Sequence, residues 1–203
     1  MKKLYISVER CDVIGGAEAL SPMVTNMDIR LQELASETER IKGVLFKFAG
    51  HNSSDQYKKA AVSVYQLSEK LYEDSEALNE MQSQIVKYQI AIARFNEKGT
   101  GFSSPNRHNV QKVKIDVQTN HFQFTLNEMI EVNNSIQKYV TDARSTLNIL
   151  KSNKEQIGSI WKDPQYKDFS EFIDGIISAT QKSLADLEAY HVHLQTKIKE
   201  LNN

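Results

Sequence analysis

Across 203 residues this sequence has one cysteine, one tryptophan, three prolines and eight glycines. The lone Cys11 excludes an intramolecular disulfide and any cysteine-rich metal site, and reads as a buried thiol in a reducing compartment. No stretch approaches the ~20 consecutive apolar residues needed to cross a bilayer, so no transmembrane segment is expected. Met1-Lys2-Lys3 is basic, but Glu9, Arg10 and Asp12 arrive before the apolar core of a signal peptide can form. Cytoplasmic synthesis and folding are expected, with export by a route that reads no cleavable signal left open. Lysine and arginine total 25 against 26 acidic residues, for a net charge of -1. Without a sustained basic run there is no electrostatic footprint for nucleic acid. Hydrophobic residues make up 40% of the chain, enough for a packed core.

What is present is helical periodicity. Val13, Ala17, Leu20, Val24, Met27, Leu31, Leu34, Ile41, Leu45 and Phe48 recur in steps of three and four, with Thr38 the one polar member. A second seam runs Tyr57, Ala60, Val64, Leu67, Leu71, Leu78, Met81, Ile85, Tyr88, Ile92 and Phe95, interrupted at Asp74. This spacing suits residues that mesh between two helices with nearly aligned axes. The cluster Gly99-Thr100-Gly101-Phe102-Ser103-Ser104-Pro105-Asn106 then breaks the pattern near mid-chain. Beyond it, Phe122, Leu126, Met129, Ile136, Val140, Ala143, Leu147, Leu150 and Ile157 form a third seam, broken by Asn133 and Lys154. The fourth holds Phe169, Ile173, Ile176, Leu187, Tyr190, Leu194 and Leu201, with Thr180 and Ser183 inside it.

The second half repeats the first at an offset of 109 positions. Val13 maps to Phe122, Leu31 to Val140, and Leu78 to Leu187, while Gln56-Tyr57-Lys58 maps identically onto Gln165-Tyr166-Lys167. Lys3/Lys112, Ile6/Ile115 and Val8/Val117 keep the same offset ahead of each pair of helices. An internal duplication is the expectation. The resulting fold class is all-α: two long antiparallel helical hairpins forming an elongated four-helix bundle. Residues 1–97 make the first hairpin with a short extended lead-in, 98–110 a linker, and 111–203 the second hairpin. Asp163-Pro164 is a helix start, with Asp163 as cap and proline at the first helical position. Ser54-Asp55 takes that place in the first half. Ser21-Pro22 either starts or bends the first helix. The alternating segments Leu4/Ile6/Val8 and Val113/Ile115/Val117 read as extended lead-ins covering the end of the bundle.

No catalytic, cofactor-binding or metal-binding residue is assigned. His191 and His193 stand about 200° apart around a helix, so they cannot share a metal. His51 and His108 fall in loops, and His121 lacks a ligating neighbour at metal spacing. The two inward Glu-x-x-His motifs that a di-metal bundle needs do not occur, nor do phosphate-binding or dinucleotide-binding glycine patterns. Glu69, Glu73, Asp74, Glu76 and Glu80 read as mostly a solvated helix face. Arg94, Lys98, Arg107, Lys112 and Lys114 make a weak basic patch around the linker, which is solvated or meets an acidic partner.

The most distinctive stretch is Ile160-Trp161-Lys162-Asp163-Pro164-Gln165-Tyr166-Lys167-Asp168-Phe169. It puts the one tryptophan at the last seam step of the third helix, just before a tight connection. Tyr166 and Phe169 follow three apart, placed to pack around an indole that plugs the bundle end or to present it to a partner. The second half thereby resembles the WXG family, helical hairpins associated with type VII (ESX) secretion, which carry Trp-x-Gly in the turn and an aromatic in the next helix. Trp161-Lys162-Asp163 and Phe169 are the matching residues, with Asp163 replacing the glycine; the first half offers Phe48-Ala49-Gly50, which lacks the tryptophan. The lead-in Ile115-Asp116-Val117 resembles the family's start. Because family members pair as dimers of hairpins, the resemblance implies a tandem duplicated, divergent version with both hairpins in one chain. It also implies a non-enzymatic role as secretion substrate, targeting partner or effector chaperone, with a protein partner such as a secreted effector or another hairpin, or self-association. The family's Tyr-x-x-x-Asp/Glu export signal is not matched at Tyr190-His191-Val192-His193-Leu194; Tyr65-x-x-x-Glu69 and Tyr72-x-x-x-Glu76 have the spacing inside a helix. A phage or mobile-element structural protein, or a membrane-active helical toxin, stand as alternatives.

Overall fold

The computed structural model describes residues 17–47, 49, 54–95, 110–113, 125–162 and 164–202, with side chains omitted at 17–18 and 88–95. Its four helices are α1 (Ala17–Lys47), α2 (Asp55–Phe95), α3 (Leu126–Ile160) and α4 (Gln165–Leu201). At 1.5 Å per residue they are about 46 to 62 Å long. Each begins where local chemistry favours it. Ala17 follows Gly15-Gly16, which lie outside the described residues. Ser54 caps α2 by accepting the Tyr57 N–H at 3.2 Å. Thr125 opens α3 with a complete capping box: its hydroxyl takes the Glu128 N–H at 3.3 Å while Glu128 takes the Thr125 N–H at 2.9 Å. α4 starts at Gln165 behind Pro164, whose φ of -52° is already helical and whose missing N–H costs nothing at that position. The expected cap Asp163 lies outside the described residues, as do Cys11, His51, His108 and His121. Pro22 starts nothing; it sits inside the first turns of α1, where the Thr25 hydroxyl donates to the Ser21 carbonyl at 2.8 Å.

Around the bundle the order is α1, α2, α4, α3, each helix touching the next and the last touching the first. Thr38, toward the tip end of α1, meets Tyr139 in the opening half of α3. Tyr57, in the first turn of α2, meets Tyr190 in the closing part of α4 at 5.5 Å between rings. The tip half of one hairpin therefore lies beside the open half of the other, and the two pack head to tail. The interior is one continuous apolar cluster reaching from Leu20 to Leu194 and containing the described apolar side chains of the expected seams except Leu126 and Leu201, with Met129 packed against it partly buried. Each fully buried Leu, Ile or Phe contributes roughly 1.5–3 kcal/mol of transfer free energy, which drives four amphipathic helices to share one core.

Three departures from the sequence reading matter. Leu201 is 62% exposed at the end of α4, where no neighbouring helix reaches over it. Tyr139, Val132 and Leu184 are buried although no seam includes them. Asp74 is also buried rather than part of a solvated face. Burial pushes its carboxyl above the usual range against the opposing pull of Lys70, whose ammonium lies at 2.7 Å.

Candidate functional site

Two places concentrate polar and aromatic chemistry: the hairpin tips, and a groove on the first hairpin crossed by residues 110–113. At the second tip, Trp161 follows α3 with its backbone N–H donating to the Ile157 carbonyl at 2.8 Å. Its indole is 1% exposed, with ring centroids 6.0 Å from Tyr166 and 5.5 Å from Phe169. Of the six residues that the sequence singles out, Trp161, Tyr166 and Phe169 come together as one cluster. Asp163, Phe48 and Gly50 lie outside the described residues. The indole Nε1–H has no hydrogen-bond partner among the described residues, so the contacts of the ring itself are packing against Tyr166 and Phe169.

The Tyr166 hydroxyl arcs back over α3 and donates to the Lys154 carbonyl at 2.9 Å. Gly158 permits this, because a Cβ there would overlap the phenol. The first hairpin makes the same hook: the Tyr57 hydroxyl donates to the Leu45 carbonyl, also at 2.9 Å. Tyr57 to Tyr166 and Leu45 to Lys154 are both steps of 109, the offset read from the seams. α1 begins at 17 and α3 at 126, again 109 apart. Local surroundings differ. Phe169 is replaced by the small Ala60, and the ring against Tyr57 is Tyr190 of the other hairpin. Burial pushes the Tyr57 hydroxyl up to about 12.

The groove is built on α1 and α2. Beside the core seam, α1 buries a second stripe, Asp28, Gln32, Ala35, Glu39 and Lys42, against Ser68, Ser75 and Gln82 of α2. Lys42 Nζ lies 2.7 Å from Glu39 Oε1 and donates to Ser68 Oγ at 2.9 Å, while the Ser68 hydroxyl donates to the same carboxylate. Glu39 Oε2 accepts the backbone N–H of Val113 at 2.8 Å. Burial alone would raise the Glu39 pKa, but the bonds from Lys42, Ser68 and Val113 together outweigh it and hold the carboxyl below its usual value. Residues 110–113 thus lie as a strap across the groove. The Lys112 ammonium reaches Glu69 at 2.9 Å and sits 4.5 Å from the centre of the Tyr72 ring. The Val113 side chain rests on Gly43, where a Cβ would stand 3.0 Å from Val113 Cγ1. Val110 packs against the core.

A serine hydroxyl beside a lysine amine suggests nucleophilic chemistry, but the arrangement opposes it. The Lys42 ammonium and the Ser68 hydroxyl are both committed to Glu39, and all three are buried. A general base needs a free lone pair within reach of its nucleophile. The groove residues were missed by sequence reasoning because Glu39 and Lys42, three apart, look like any solvated helix pair. Gly43 in the closing turns of α1 was the available signal, since a glycine within a helix often marks a close approach.

Among the described residues no group of histidine, cysteine or carboxylate side chains is arranged to hold a metal ion, and no helix is long and apolar enough to cross a membrane. No family model, curated protein or solved structure matches the chain.

Proposed function

We propose that this chain is a non-enzymatic helical interaction module of WXG-like character, acting in type VII secretion as a substrate, targeting partner or effector chaperone. The supporting observation is the tyrosine hook that recurs at both hairpin tips in the same 109-residue register. Two independent hairpins with merely similar hydrophobic patterns need not share a side-chain-to-backbone bond of identical span. Duplication of one hairpin followed by head-to-tail packing accounts for it, and gives within one chain what a hairpin dimer builds from two. Trp161 supports the same reading at motif level, since it occupies the turn between two long helices with Phe169 packed on it. A rigid rod with a buried core works by offering surface, which is what a targeting or chaperone role requires. Affinity capture from the source cells, with identification of what is retained, tests the proposal. Retention of a secretion-system component or secreted effector is the expected result. Retention of virion or tail proteins would replace this reading with the structural one.

A further inference from the structure

We propose that the α1/α2 groove is a docking site for an extended Lys–aliphatic segment of a partner protein, and that residues 110–113 are its built-in competitor. Three features of the groove recognise three parts of such a segment. Glu39 Oε2 takes a backbone N–H, as it takes that of Val113. The bare backbone at Gly43 gives room to a branched aliphatic side chain, as it does to Val113. Glu69 and the face of Tyr72 take an ammonium group one residue earlier, as they take Lys112. The internal repeat supplies a control within the same molecule. At the offset of 109, Glu39, Gly43, Glu69 and Tyr72 become Asn148, Ser152, Ser178 and Gln181. The second hairpin folds with neither carboxylate nor the glycine, so this constellation is not a requirement of the hairpin fold.

Beyond the Val113 N–H bond to the buried Glu39 and the packing of Val110, the outer contacts of the strap face solvent. Val113 remains 37% exposed. The Lys112–Glu69 pair is more than two-fifths exposed on both sides. Exposed ion pairs and exposed cation–π contacts are individually weak. A tethered occupant nevertheless competes at an effective concentration on the order of millimolar. A partner segment of the same pattern must therefore bind better than the strap, or arrive when the strap is drawn away.

This inference rests on the interaction-module reading only in supposing that a partner exists. The probe is a labelled peptide with the sequence from Val110 to Val117, titrated against the whole chain and against a K112A/V113G variant in which the strap is weakened. The variant should bind the peptide about tenfold more tightly than the unaltered chain, or better. Adding Gly43→Val, or the milder Glu69→Lys, should abolish that gain. A folded K112A/V113G chain that ignores the peptide overturns the proposal, as does binding indifferent to Gly43 and Glu69. Should the variant misfold, the Val113 amide resonance of the unaltered chain decides: displacement by excess peptide supports the proposal, and no change refutes it. Capture of a secretion partner that is insensitive to Glu69→Lys would sink the groove alone and leave the functional reading standing.

Discussion

Trp161→Ala is the substitution that most directly tests how the second tip is held. The indole is fully buried between Tyr166 and Phe169 in the common core. Large-to-small changes at such sites cost ~3–5 kcal/mol, the lost transfer energy adding to the cavity left behind. For a domain of this size one kcal/mol moves the melting temperature by roughly 2–4 °C, so a fall of about 6–20 °C is expected. Trp161→Phe separates packing from polarity. It sacrifices part of the ring but also removes an Nε1–H that has no partner among the described residues. A buried unsatisfied donor costs about 1–3 kcal/mol, so the phenylalanine variant should fall within about 1–2 kcal/mol of the parent. Urea unfolding followed by far-ultraviolet circular dichroism measures both. A loss below about 1 kcal/mol for alanine at unchanged m, or equal losses for alanine and phenylalanine, would refute the reasoning. The unaltered protein should also show blue-shifted tryptophan emission that moves red on unfolding.

The paired hooks give a second expectation. Tyr57→Phe and Tyr166→Phe should each cost about 0.5–1.5 kcal/mol, the net worth of one hydrogen bond. Tyr57 should cost more, since Leu45 lies in the last turn of α1, where carbonyls lack helical partners; thermal denaturation of the two variants ranks them, and the reverse order would contradict this account. Alkaline titration gives a third. Burial raises the Tyr57 hydroxyl to about 12 and pushes Tyr139 up as well, against the smaller opposing effect of Thr38. The folded chain then keeps protons that the unfolded chain releases near pH 10. Stability from this source is whole below about pH 10 and falls as pH climbs through 12. Phenolate absorbance for these two residues should rise together with loss of helical signal, and ionisation near pH 10 in a still-folded chain would show that they are not buried.

Period and spacing made most of the fold legible. Buried positions such as Leu31, Leu71, Leu147 and Ile173 follow directly from steps of three and four, and so does the antiparallel hairpin from short connections. Tyr139 escaped because a tyrosine adjacent to Val140 looks like the polar flank of a seam, and its hydroxyl becomes affordable in the core only once Thr38 of the other hairpin is in place. The tip aromatics were readable as a cluster from residue type and spacing alone. The groove was not, because one of its hydrogen-bond donors comes from a segment that arrives from far along the chain. Nothing local to Glu39 announces that Val113, 74 residues on, will supply a backbone donor.

Those long-range contacts also explain why two similar hairpins pack in one register. A purely apolar seam tolerates a slip of one helical turn, since Leu, Ile and Met substitute for one another at little cost. The Thr38 hydroxyl lies 2.7 Å from that of Tyr139, both are buried, and Thr38 also donates to the Leu34 carbonyl at 2.7 Å. Sliding α3 along α1 by a turn would leave the phenol unpaired in the core at about 1–3 kcal/mol. The same slide would carry Tyr190 away from Tyr57, whose own hairpin offers Ala60 where the other tip has Phe169. The first tip is thus completed by the second hairpin, whereas the second carries its own tryptophan and phenylalanine. That asymmetry makes the fused pair a specific assembly rather than two interchangeable rods.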